Sequence, residues 1–297
     1  YTCATVVEPF RANGWQVRHY GINADLTVDG PSLLAACSAF DPDVVVVHPY
    51  YGMDLSEAEL SVLRQAKTGR RIFVKDLTQC LFSHGDDDGL FDYCVGSLRK
   101  WLPMPDGAFV ASSVRSLAEW PAAGGENAEY VRRELEAMRL RGEYYQTGDA
   151  EVKARSRALD AEAVELIEHA TEPHEMSAYS VGVLNGTDLA AVADARCRNY
   201  RLLFERLDSP KVKRICTDLS RVTTAPLYFP VLVTDRPAFV AKLITERIYA
   251  PVLWPEPDAE AGEVARVIYD SILALPIDQR YGVDDMYRIV EAVNGYK

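Results

Sequence analysis

The chain has 297 residues, enough for two domains, though one large α/β unit would also fit. Its 48% apolar and 26% charged content is that of an ordinary globular protein. A net charge of -12 argues against nucleic acid as the main partner, because binding phosphates calls for a basic face. The six cysteines (Cys3, Cys37, Cys80, Cys94, Cys197 and Cys216) are scattered, with no C-x-x-C pair. Neither a disulfide framework nor a metal site is expected, and a reducing, cytoplasmic compartment fits. No apolar run reaches the ~18 residues of a membrane helix, and no secretory segment is visible.

In chain order, residues 15–20 read as a strand and 31–40 as a helix with Leu33, Leu34 and Cys37 on one side. Val44–Val47 is fully apolar, as in a strand covered on both faces. A helix follows over 56–67, with Leu60 and Leu63 inward and Gly69 placed to end it. Further strands are expected at 71–75, 93–96 and 108–112. Strand and helix alternating at this spacing imply crossover units and a mainly parallel sheet, whose ligands bind beyond the carboxyl ends of the strands. Helical periodicity then covers 126–141 and 151–169, and Thr187 reads as the N-cap of a helix to about 207. The last third is α+β. A strand at 227–233 carries Pro230, which points to an edge or bulge. Asp235 and Pro237 open a helix, 259–271 forms another, and 273–277 a strand. Asp284 and Asp285 start a last helix, ended by Gly295. The expected division is a large domain over 1–185 and a smaller α+β domain over 186–297.

Asp76 and the run Ser97-Leu98-Arg99-Lys100 fall at strand carboxyl ends. An acid and a lysine so placed match the needs of pyridoxal-phosphate (PLP) chemistry. A buried lysine becomes nucleophilic enough to hold the cofactor's aldehyde as a Schiff base. A carboxylate keeps the pyridine nitrogen protonated, so that the ring can draw electrons. Gln79 could then hydrogen-bond the ring oxygen and Ser97 the phosphate. Spacing by itself leaves the other reading open, in which both are ordinary surface residues at strand ends.

The order Val45-Val46-Val47-His48-Pro49-Tyr50-Tyr51-Gly52, then Asp76-Leu77-Thr78-Gln79, then Ser97-x-x-Lys100 resembles the fold type I PLP enzymes, and within them the DegT/DnrJ sugar aminotransferases. Leu275-Pro276-Ile277-Asp278, the helical pattern after it, and Asn199-Tyr200 in an arginine-rich helix carry the resemblance to the end of the chain. It implies a PLP-binding large domain, a small α+β C-terminal domain, Lys100 and Asp76 as catalytic residues, and a homodimer with a shared site. Two departures stand out. The family's sugar-converting members carry the serine further upstream of the lysine than Ser97 stands here. Cys3 falls where many members stack an aromatic ring on the cofactor; either Tyr1 fills that place or the cofactor face is less covered. The family also has a phosphate-binding turn ahead of the Tyr1 region; either the sequence is a fragment lacking that segment, which is the favoured expectation, or the site is incomplete.

The function expected is a transaminase moving an amino group between an amino-acid donor and a keto acceptor, possibly a keto sugar, through a Lys100 Schiff base. A PLP lyase or decarboxylase, or a silent regulatory or binding protein of the same fold, stands as the alternative. Tyr50, Tyr51, Arg221 and Trp254 are candidates for the substrate side, and Arg99 would point away from Lys100 if the strand continued. Ser97-x-x-Lys100 with Lys67-Thr68-Gly69 also matches serine acylases, but in reversed order and with no S-D-N. Asp86-Asp87-Asp88 reads as a solvated turn, His169 and His174 are badly spaced for one helix face, and His48 reads as structural.

Overall fold

In the computed structural model of the chain, residues 1–83, 88–118, 123–168, 172–254 and 262–296 are described. Asp86, Asp87, His169 and the expected helix start at 259 lie outside them. Among the described residues no helix is long and apolar enough to cross a membrane. The chain forms two compact units: Tyr1–Gly96, Val110–Arg115 and Asp188–Lys297 make the first, and Ser97–Phe109 with Ser116–Thr187 the second.

The first unit opens with helix α1 (Ala4–Ala12) and α2 (Gly30–Phe40). Strand β1 (Val44–Val47), helix α3 (Glu57–Ala66) and strand β2 (Ile72–Asp76) follow, then β3 (Tyr93–Ser97) and β4 (Ala108–Ala111). The sheet order is β1-β2-β3-β4. β1 and β2 run parallel with Val47 opposite Lys75, and β2 and β3 run parallel with Asp76 opposite Val95. Local chemistry fixes the helices that cover this sheet. Asp29 accepts the Ser32 N–H at the start of α2, with Pro31 in the first turn. Ser56 and Glu59 form a capping box on α3, and Glu59 also takes the Val28 N–H at 2.9 Å. Leu33, Cys37, Val45, Val47, Leu60, Leu63 and Phe73 make the core between them.

Residues 15–20 form no strand. Trp15 is 47% exposed, and Tyr20 Oη donates to the Val46 carbonyl on β1 at 2.9 Å. Alternating polarity there produced a strand-like pattern without a ladder partner to realise it.

In the second unit, α4 (Ala128–Thr147) and α5 (Ala150–Glu168) form a helical hairpin turned at Gly148, whose φ of 71° needs glycine. Tyr130, Val131 and Ala163 pack within it, and Ser156 Oγ donates to the Ala137 carbonyl at 2.8 Å. A helix not expected from sequence, α6 (Ala178–Gly186), follows. Thr187 therefore closes α6, donating its hydroxyl to the Val183 carbonyl, and Asp188 caps the next helix by accepting the Ala191 N–H. Both residue types can cap. Here Asp188 wins the start and Thr187 back-bonds the preceding turn.

That next helix, α7 (Leu189–Arg206), returns to the first unit, with β5 (Val212–Arg214), β6 (Phe229–Val233), α8 (Arg236–Thr245), α9 (Glu263–Ser271), β7 (Ile272–Leu275) and α10 (Val283–Asn294). β5-β6-β7 is an antiparallel sheet, so Pro230 lies in a central strand rather than an edge. It is tolerated because β5 stops opposite Val231, and Pro230 faces a partner on β7 alone, Ala274. Phe229, Val231, Leu203, Phe239, Leu243 and Met286 fill the core beneath this sheet.

β2 also buries a charge. Lys75 is 0% exposed, its ammonium 2.8 Å from Asp54 and 5.6 Å from the centre of the Phe91 ring. Removing one member of such a pair strands the other charge away from water. Asp54→Ala is expected to lower unfolding free energy by about 3 kcal/mol, and Lys75→Met added to Asp54→Leu to restore most of it. Urea midpoints check this. An Asp54→Ala chain as stable as the parent would contradict it.

Candidate active site

The carboxyl ends of β1 and β2 carry the most specific arrangement in the first unit. Beyond Val47 the chain turns through His48-Pro49-Tyr50-Tyr51-Gly52. Tyr51 has φ of 52° and Gly52 of 81°, and a Cβ on Gly52 would lie 2.7 Å from the Thr224 carbonyl. Glycine is thus required both for conformation and for contact. The Gly52 carbonyl accepts the N–H groups of Thr223 and Thr224, and its own N–H donates to the Gln79 carbonyl. The Gln79 side chain completes the clamp, its Oε1 accepting the Tyr51 N–H at 3.2 Å.

Asp76 ends β2 and caps the single 3-10 turn Leu77–Gln79, its Oδ1 accepting the Thr78 N–H at 2.9 Å. Its Oδ2 lies 3.3 Å from Nδ1 of His48, and both side chains are 12% exposed. His48 Nε2 in turn is 2.9 Å from the Thr2 hydroxyl. A carboxylate can only accept, so Nδ1 of His48 donates to Asp76 while Nε2 faces the Thr2 hydroxyl. Burial pushes the Asp76 carboxyl upward, but the His48 and Thr78 hydrogen bonds outweigh it and hold it at about 2. The nearly buried side chain is therefore favoured in its ionised form. Beside β1, a cavity of about 570 Å³ is lined by Thr2, Phe10, Tyr20, Val46, His48 and Tyr50, among others.

The other candidates fall in distinct places. Tyr1 is buried in an aromatic cluster, its ring 4.6 Å from Trp254, 4.8 Å from Tyr269 and 5.7 Å from Tyr50. Tyr1 Oη donates to the Leu253 carbonyl and lies 3.5 Å from Oη of Tyr51, which is fully buried. Cys3 is the N-cap residue of α1 without a side-chain cap bond, and its sulfur accepts from the Thr5 hydroxyl at 3.0 Å. Arg221 is held by Asp25 at 2.9 Å. The structure thus joins Asp76, Gln79 and Tyr51 through the His48–Gly52 turn, and joins Tyr1 with Trp254.

Ser97 and Lys100 belong to the second unit's segment. β3 stops at Ser97 and the chain tightens into a 3-10 turn, Leu98–Lys100. Arg99 therefore does not alternate with Lys100 along a strand, and both side chains are exposed. Lys67, the other half of the acylase-like pattern, pairs with Asp92 at 2.8 Å as a structural cation.

No family model and no curated protein matches the chain. Solved structures do. The sugar aminotransferase CalS13 from Micromonospora echinospora aligns with 100% of this chain and 79% of its own at 16% identity and a TM-score of 0.65. A DegT DnrJ EryC1 StrS aminotransferase from Brucella abortus aligns with 100% of this chain and 77% of its own, at 14% identity and a TM-score of 0.62. NtdA from Bacillus subtilis, solved with bound cofactor PMP, aligns with 98% of this chain and 65% of its own, at 13% identity and a TM-score of 0.62. The fold is that of the sugar aminotransferases. The expected α/β architecture, with its mainly parallel sheet and smaller antiparallel one, is therefore the PLP-dependent transferase fold.

The sequence reads His48 as structural, and the structure pairs it with Asp76. The signal was positional: with Val47 level with Lys75, the residues one step on, His48 and Asp76, come level too. Thr2 carried no comparable signal.

A carboxyl held below its unfolded value adds stability that is complete above the unfolded pKa near ~3.9 and is lost as pH falls toward the folded value. Asp76 is expected to contribute about 2 kcal/mol at pH 6, disappearing between about pH 4 and 2. In His48→Leu much of this acid-sensitive part should be missing. Urea unfolding between pH 2 and 6 checks it, and superimposable pH profiles for the two chains would contradict it.

Proposed function

We propose that the chain is a PLP-dependent transaminase, moving an amino group between an amino-acid donor and a keto acceptor. The observation that carries this reading is a nearly buried carboxylate, held by His48 and the Thr78 N–H, at the carboxyl end of a parallel strand in an aminotransferase fold. Because neighbours of this fold are sugar aminotransferases, a keto sugar is the acceptor class we favour. A homodimer and a cytoplasmic setting are proposed on the same footing.

The residues fit the cofactor chemically. Asp76 would accept the pyridine N–H, and its charge needs no pH adjustment to do so. Gln79 offers its amide nitrogen to a ring oxygen, since Oε1 is committed to the Tyr51 N–H. Ser97 has a hydroxyl for phosphate, and its side chain makes no cap bond to the turn it begins. Bound there, PLP supplies an electron sink for the pair left when the substrate's Cα–H bond breaks. Lys100 supplies the primary amine that would hold the aldehyde, and its Nζ moves the Cα proton. His48 keeps Asp76 charged and oriented. Arg221 and Trp254 are the residues proposed for the substrate side, while Tyr51, fully buried, acts through the turn it shapes.

The test is amino exchange by the PLP-loaded chain with an amino-acid donor and keto acceptors, keto sugars included. Lys100→Ala should abolish exchange, and Asp76→Asn should slow it on the order of 10²-fold. Exchange by Lys100→Ala at the parent rate would overturn the assignment. Release of CO₂, or elimination without amino transfer, would point to a decarboxylase or lyase instead.

A further inference from the structure

The stretch Ser97–Gly107 departs from the family pattern, yet it is held at several points. Its base is closed by the Leu98 N–H donating to the Gly107 carbonyl at 3.0 Å. Trp101, Leu102 and Met104 are buried, whereas Arg99, Lys100 and Pro103 face outward. On α4, Tyr130 donates its hydroxyl to the Pro105 carbonyl at 2.9 Å. Gly107 has φ of 119°, and a Cβ there would lie 2.9 Å from the Met176 sulfur, so the exit of the loop is closely packed.

Asp106 makes three side-chain connections. Its Oδ2 accepts the Ser177 N–H at 2.9 Å, and its Oδ1 accepts the Ser177 hydroxyl at 2.7 Å and that of Ser180 as well. Ser177 is the N-cap of α6, so Asp106 is bound to the start of that helix, where a negative charge is favoured. Glu126 serves the same helix end by accepting the Ala178 N–H. Apart from the single 3-10 turn at 98–100, the loop has no regular structure of its own. Its shape is therefore set by these anchors.

We propose that Asp106 is a positioning residue for Lys100. It latches the 97–107 loop to α6, and Tyr130 latches it to α4. Lys100 then projects from a backbone that these bonds hold in place. This rests on the reading of Lys100 as the cofactor-holding amine. A lysine on four rotatable bonds reacts efficiently only if its Cα is held, because each degree of looseness lowers the fraction of time it is in place. The three bonds at Asp106 tie the end of the loop to the first turn of α6.

The experiment uses the full chain and the variants Asp106→Ala, Asp106→Asn and Tyr130→Phe. Two quantities are read: amide hydrogen exchange of 98–107 without cofactor, and the PLP concentration that half-saturates the visible band. Asp106→Ala should speed exchange in the loop and raise the half-saturating PLP concentration about tenfold. Asp106→Asn, which keeps an acceptor oxygen, should recover part of both. Tyr130→Phe, a milder change that retains the ring, should shift both in the same direction by less. Faster loop exchange with a parental PLP titration would overturn the proposal, because the loop would then be loosened without consequence for Lys100. Unchanged exchange in Asp106→Ala would overturn it too. If the parent takes up no PLP, or Lys100→Ala binds it equally well, the reading of Lys100 fails instead, and loop exchange still shows whether Asp106 fixes the segment.

Discussion

A carboxylate that stays ionised while 88% withdrawn from water has to be held in that state by its neighbours, and at Asp76 three parts of the first unit converge to do so. The β1–β2 register brings His48 level with Asp76. The 3-10 turn that follows β2 aims the Thr78 N–H at the same carboxylate. Thr2 engages the far side of the imidazole at 2.9 Å. Without those bonds, burial would drive the carboxyl toward its neutral form, and a neutral acid cannot keep a pyridine nitrogen protonated.

The surroundings limit how far this arrangement can drift. Gly52 lies against the 223–226 segment with no room for a methyl group, and both its peptide groups are bonded, one to Gln79 and one to Thr223 and Thr224. On the opposite face of β2, Lys75 and Asp54 pair beneath the same turn. One strand thus buries a cation on one side and an anion on the other. Alternation of side chains along a strand makes that possible, since neighbours in sequence never face each other. In the second unit, the loop bearing Lys100 is held by packing, by Tyr130 and by Asp106 rather than by a regular element.

Much of this was legible in the chain itself. Four consecutive valines, a Ser56–Glu59 capping box and the Asp235-Arg236-Pro237 helix start carry local signals strong enough to survive any tertiary context. Asp76 and Gln79 could be placed at a strand end because the alternation of strands and helices dictates where parallel strands stop. What escaped depends on partners remote in sequence. Residues 15–20 have a strand-like pattern but nothing to pair with, and α1, which contains Pro9, resembles no good helix by propensity. Pro230 was expected at an edge, but strand length, invisible locally, lets it sit centrally. His48 and Lys75 became interpretable only with the register in hand. A histidine or lysine next to an apolar run does not say what it faces.

The claim that decides the rest is that Lys100 is the amine that holds pyridoxal phosphate. Borohydride reduction of the PLP-treated full chain, followed by peptide mass analysis, tests it directly. The expected result is one phosphopyridoxyl group, on the peptide that contains Lys100. A chain left unlabelled, or labelled instead on Lys75, Lys67 or another lysine, would contradict it.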